Sequence, residues 1–164
     1  MIPNKTYNNV IDTLKGLGAK HLQIQTTTVG DIFDIDLESS NTYFPLMHIN
    51  PLSVTTGRTQ LNYNFQIFIM DLVNDDNSNE QEVYSDVLQM CVDVIAILTN
   101  SKFQAQLALD IDAPVYFAEG EYTIEPFTER FTNAVTGWVF QVSIAVHNDF
   151  QSCEIPMTNE YIGR

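Results

Sequence analysis

Two long segments alternate apolar and polar side chains. The first runs Asn62-Tyr63-Asn64-Phe65-Gln66-Ile67-Phe68-Ile69-Met70, and the second Gly137-Trp138-Val139-Phe140-Gln141-Val142-Ser143-Ile144-Ala145-Val146-His147. A period of two marks a strand with one buried and one wet face. Tyr63, Phe65, Ile67 and Ile69 form one apolar face, and Trp138, Phe140, Val142, Ile144 and Val146 the other. The wet faces carry Asn62, Asn64, Gln66, Gln141 and Ser143, where Lys and Glu are more usual. Two helices are predicted by a 3.6-residue period. Tyr7, Val10, Ile11, Leu14 and Leu17 set the first over 4–17, with Gly16 and Gly18 stopping it. Tyr84, Val87, Leu88, Cys91, Val94, Ile95 and Leu98 set the second over 79–99, with Ser78 and Gln81 as a capping box. From Met90 to Leu98 this helix is apolar on nearly every side, so it needs partners on more than one face.

Shorter strands are predicted over 22–28, 43–50, 107–112 and 122–126, with Pro51 closing the second and 53–58 as a connector turning at Gly57. Residues 31–42 are expected as an acidic loop or hairpin tip. Short connections favour antiparallel pairing. The expected fold is α+β: one mainly antiparallel sheet with both helices on the face of Phe65, Ile67, Phe140 and Val142. Residues 1–149 form a single domain, and 150–164 an extended tail without periodicity. The aromatics between Tyr116 and Phe131 are core side chains under a loop, or an arm on a neighbouring subunit.

Composition narrows the function. The 164 residues hold 21 acids against 7 Lys and Arg, a formal charge of −14. Nucleic-acid binding requires a basic footprint, which this chain lacks, and anionic membranes repel it for the same reason. The N-terminal residues show no apolar signal core, and the longest apolar run is too short to span a bilayer. Two cysteines, Cys91 and Cys153, make no disulfide framework.

No catalytic constellation emerges. His21, His48 and His147 lack metal-ligand spacing, and no phosphate-binding glycine loop or nucleophile motif is present. Asp31, Asp34, Asp36 and Glu38 do not match a calcium loop. An apolar setting makes Cys91 a poor nucleophile. The expectation is a protein that is not an enzyme and uses no metal or cofactor.

The run Leu61 to Leu72, the polar turn leading into Glu82-Val83-Tyr84-Ser85-Asp86-Val87-Leu88, and Gly137 to Ile144 together resemble the tail-terminator and tail-completion proteins of tailed bacteriophages. They are also similar to the neck or ring proteins of crAss-like phages. The resemblance covers most of the chain as an order of elements. It implies a structural virion protein assembled in the host cytoplasm: a homo-oligomeric ring of six or twelve copies, touching portal or neck and tail proteins. It implies no enzymatic activity. DNA would pass such a ring without binding, and the neutral face of Asn62, Asn64, Gln66, Gln141 and Ser143 is the expected lumen surface. The tail residues Phe150, Ile155, Pro156, Met157, Tyr161 and Ile162 are the expected contacts to a neighbouring subunit. The competing readings are an acidic DNA mimic that blocks a host DNA-binding protein, and a small hydrolase with a carboxylate site. The first needs acids in rows, whereas they cluster in loops and helix starts; the second lacks a convergent motif.

Overall fold

The computed structural model describes residues 7–31, 42–74, 76–99, 117–118, 121–130 and 134–147. Helix α1 (Tyr7–Lys20) is followed by strands β1 (Thr26–Val29), β2 (Leu46–Thr56) and β3 (Gln60–Leu72). Helix α2 (Glu80–Leu98) precedes β4 (Phe117–Ala118), β5 (Ile124–Arg130) and β6 (Ala134–His147). The sheet order is β1-β2-β3-β6-β4, and β5 also pairs with β6. Only β1 and β2 run parallel; every other pairing is antiparallel. The α+β class with a mainly antiparallel sheet is therefore the observed one.

The two alternating segments lie side by side at the centre. β3 and β6 are in unbroken register from Gln60↔His147 to Leu72↔Val135. This pairing puts Ile67 beside Phe140, Phe65 beside Val142 and Tyr63 beside Ile144, and all six are buried. Val10, Leu14 and Leu17 of α1 and Val83, Val87, Met90, Cys91, Val94 and Leu98 of α2 pack onto the same cluster. Both helices thus cover one face, as the periodicity requires.

Several expected boundaries move, each for a physical reason. α1 passes through Gly16 and Gly18 and ends at Lys20. Gly18 is a packing residue and not a stop: a Cβ there would lie 2.3 Å from the Thr27 hydroxyl oxygen. β2 continues through Pro51 to Thr56 instead of closing there. β1 ends opposite Ile49, so among the described residues the outer side of β2 at Pro51 has no partner that needs an N–H. A register shift between Pro51 and Val54 takes up the irregularity. β6 starts at Ala134, before Gly137, and β5 reaches Arg130.

The capping box at the start of α2 does not form. Asn79 takes the N-cap position without a side-chain cap, and its amide oxygen instead accepts the Asn74 N–H at 2.8 Å. Glu80 and Glu82 still sit in the first turn, where the helix dipole favours them. The buried stripe of α2 is rotated relative to expectation: Val83 and Met90 are buried, Tyr84, Leu88 and Ile95 are half-buried, and Val92 is exposed.

The helix-free face is not polar throughout. At the end where β2 begins, Leu46, Phe68, Met70 and Val135 form a second buried cluster, with Phe44, Phe127 and Val139 against it. Phe68 and Phe127 meet edge to face with ring centroids 5.3 Å apart. Tyr122 likewise meets Phe140 edge to face at 6.4 Å. Phe127 and Tyr122 are therefore packing residues, one on each side of the sheet. The expected strand over 107–112 lies outside the described residues, as do Tyr116, Phe131 and most of the acidic loop.

Candidate functional site

The candidate site is the polar half of the helix-free face. Strand alternation and the β3–β6 register bring all five proposed residues onto it. Asn64 lies opposite Ser143, Gln66 opposite Gln141, and Asn62 opposite Ala145. β2 extends the rows outward, since Asn50 pairs with Gln66 and Thr55 with Asn62. Asn62, Asn64 and Gln66 are half-buried, and Gln141 and Ser143 are exposed.

Side-chain hydrogen bonds hold this surface in place. The Asn50 amide donates to Gln66 Oε1 at 3.2 Å, and Gln60 Nε2 donates to Asn62 Oδ1 at 3.1 Å. The Asn64 amide donates to the Ser53 carbonyl at 3.0 Å and reaches the Ser53 hydroxyl at 3.4 Å. The amides spend donors on groups of their own strand and of the neighbouring strand, which leaves a hydrogen-bonded, uncharged surface.

Toward β5 the face becomes acidic. A groove of roughly 360 Å³ is lined by Gln66, Thr123, Val139, Phe140 and Gln141, with the carboxylates of Glu121 and Glu125. Neither these two acids nor Asn50, Ser53 and Thr55 were singled out in the sequence. The continuation of β2 past Pro51 is what adds the latter three, and no alternation in the sequence signals it.

His48 marks the border between the polar and apolar halves. It is 2% exposed and packs against Phe68. Its Nε2 donates to the Gly30 carbonyl at 2.8 Å, so Nδ1 accepts from the Thr28 hydroxyl at 2.7 Å. Burial holds its pKa below the ordinary histidine value, against the opposing pull of the Gly30 carbonyl and Asp31. Both ring nitrogens are engaged within the fold, so His48 is a structural group.

The remaining candidates are scattered. His21 pairs with Asp93 at 3.0 Å, away from the sheet face. Cys91 is buried in the main core, and burial pushes its thiol up to about 12, which removes it as a nucleophile. His147 pairs through its backbone with Gln60. Among the described residues, no three or more His, Cys, Asp or Glu side chains gather as a metal site, and no helix is long and apolar enough to cross a membrane. The proposed contact residues Phe150, Ile155, Pro156, Met157, Tyr161 and Ile162 lie outside the described residues, as does Cys153. Chemically, the sheet face offers neutral hydrogen-bonding groups at its centre and carboxylates at one edge. Neither supplies the cations that neutralise a phosphate backbone. No family model matches this chain, and no curated protein matches it.

Proposed function

We propose that the chain is a structural virion protein. It forms a homo-oligomeric ring of six or twelve copies in the neck or tail of a tailed phage, joining portal or connector to tail while DNA passes through. The carrying observation is the neutral face itself: Asn50, Asn62, Asn64, Gln66, Gln141 and Ser143 share one surface of a rigid sheet without a Lys or Arg among them. A channel for DNA benefits from such a wall, since each phosphate neutralised by a cation adds affinity and slows passage. The net charge of −14 adds a general repulsion between a ring of these subunits and DNA. In this reading the helices face outward, and the tail from Phe150 to Ile162 reaches a neighbouring subunit.

The test is a pair of lysines. Asn64→Lys with Gln66→Lys keeps the fold, because both side chains reach solvent, and gives DNA a grip. Ring particles of the variant should retain duplex DNA in a mobility-shift assay at low salt, where the wild type does not, and lose it as salt rises. Phage carrying the variant should eject its genome slowly. A variant ring that ignores DNA at low salt places this face elsewhere than the lumen. A wild-type chain that stays monomeric by light scattering overturns the ring.

A further inference from the structure

The two lateral edges of the sheet differ in charge and in cover. No acid occurs between Glu38 and Asp71, although the chain holds 21 acids in 164 residues. That acid-free run contains all of β2 and β3 up to Met70. Their hairpin turns at Gly57, whose N–H donates to the Gln60 carbonyl at 2.8 Å, and Arg58 stands exposed at the tip. β1 covers the outer side of β2 only as far as Ile49. Beyond it, residues 52–59 are all exposed, including the apolar Leu52 at 43% and Val54 at 49%. Among the described residues this strand end has no partner on its outer side, and an open strand end with exposed branched side chains is a template for another chain. On the other side of the sheet, where β5 pairs with β6, the exposed carboxylates Glu121 and Glu125 stand at the β5 end of the groove.

We infer that a second copy of this chain docks here: the β2–β3 hairpin of one copy lies against the β5 edge of the next, with Arg58 directed to Glu121 and Glu125. Three observations favour a second copy as the occupant. The hairpin lies in the longest acid-free run of the chain, so it meets another copy without carboxylate opposing carboxylate. Arg58 is the one Lys or Arg outside α1 whose side chain is described, and it has no acidic neighbour within its hairpin. The two surfaces lie at opposite edges of one sheet. The contact is therefore head to tail, and successive copies close into a ring where the rotation permits. Strand directions agree with it, since β2 is antiparallel to β3, β3 to β6 and β6 to β5, which leaves β2 and β5 antiparallel to each other. An antiparallel approach of β2 to the next copy's β5 continues the alternation.

This inference rests on the ring reading and is separable from it by charge reversal. The measurement is the concentration for half-assembly of the full chain, by sedimentation velocity. Arg58→Glu alone should raise it by about tenfold or more, because like charges then face each other at the contact. The double variant Glu121→Arg, Glu125→Arg should do the same. An equimolar mixture of the two variants should assemble again, since alternating copies pair Arg58 with Glu121 and Glu125 at one contact and the reversed charges at the next. All three residues are exposed, so the thermal midpoints should match the wild type and report intact folding. Variants that assemble at the wild-type concentration, or a mixture that does not recover, overturn this contact while the ring stands. A wild-type chain that remains monomeric overturns both.

Discussion

His48 is the residue at which burial and ionisation meet. A neutral ring satisfies both the Gly30 carbonyl and the Thr28 hydroxyl, whereas a protonated ring must carry charge in a buried setting. Its native pKa lies below the unfolded value, so the unfolded chain binds more protons between the two. Stability contributed by this residue is therefore present above about pH 6.5 and declines as pH falls through that window toward the lowered native value. Urea melts at steps from pH 7 to 5 should show this decline, and His48→Gln should flatten it. Asp71 acts with the opposite sign in a lower window. Burial, with Asp86 nearby, raises its pKa against the Leu72 N–H, so its contribution is lost as pH rises through the raised value. Gly137 is constrained by space alone: a Cβ there would fall 2.0 Å from the Ile69 carbonyl oxygen and 2.8 Å from Met70 Cα. Gly137→Ala should cost about 1–3 kcal/mol in denaturant melts, because backbone must move to admit it.

At the scale of elements, the alternating strands carry the fold. Phe140 is 1% exposed and sits between Ile67, Ile124 and Tyr122. Phe140→Ala should destabilise the protein by about 3–5 kcal/mol. A loss well under 1 kcal/mol would mean that the helices do not close over this face. These strands are legible because both have one face packed under helices and, over 60–66 and at Gln141 and Ser143, a polar opposite face, which is the condition that writes period two into a sequence. β2 was half legible. Its first part alternates, but Pro51 reads as a terminator unless it is known that β1 pairs with β2 only as far as Ile49. The same limit hid the parallel pairing of β1, whose four residues carry three threonines and no contrast between faces. Gly18 was misread for a related reason: a glycine that admits a neighbouring strand looks like one that ends a helix.

For the whole molecule, the distribution of charge matters more than its sum. The acids gather over 31–38, within and just before α2, and along 119–129, and the central strands β3 and β6 hold none but Asp71. The five proposed lumen residues were legible as one face, because register and alternation follow from the strands themselves. Asn50, Ser53 and Thr55 join that face only through β2, and Glu121 and Glu125 only through the β5 pairing, so local pattern did not reveal them. The tail from residue 150 onward carries its own expectation. Deleting 150–164 should leave the thermal midpoint unchanged and raise the half-assembly concentration of the ring. A truncated chain that assembles at full affinity refutes the role given to Phe150, Ile155, Pro156, Met157, Tyr161 and Ile162.

The central pairing also governs when the protein can fold. β3 and β6 are neighbours over their whole length, yet their paired residues lie 63 to 87 positions apart in sequence. Closing so long a loop costs chain entropy before any contact repays it, and such topologies fold slowly. During synthesis, β2 and β3 can pair as soon as they emerge, but the apolar faces of Phe65 and Ile67 then wait for a partner strand at the far end of the chain. Until Phe140 and Val142 arrive, the growing polypeptide exposes an unpaired β3 edge, which is the state most open to aggregation. Chains released after residue 130 should therefore precipitate or be degraded, while those extending past His147 should resist protease, so that the last long strand acts as the timing step of maturation.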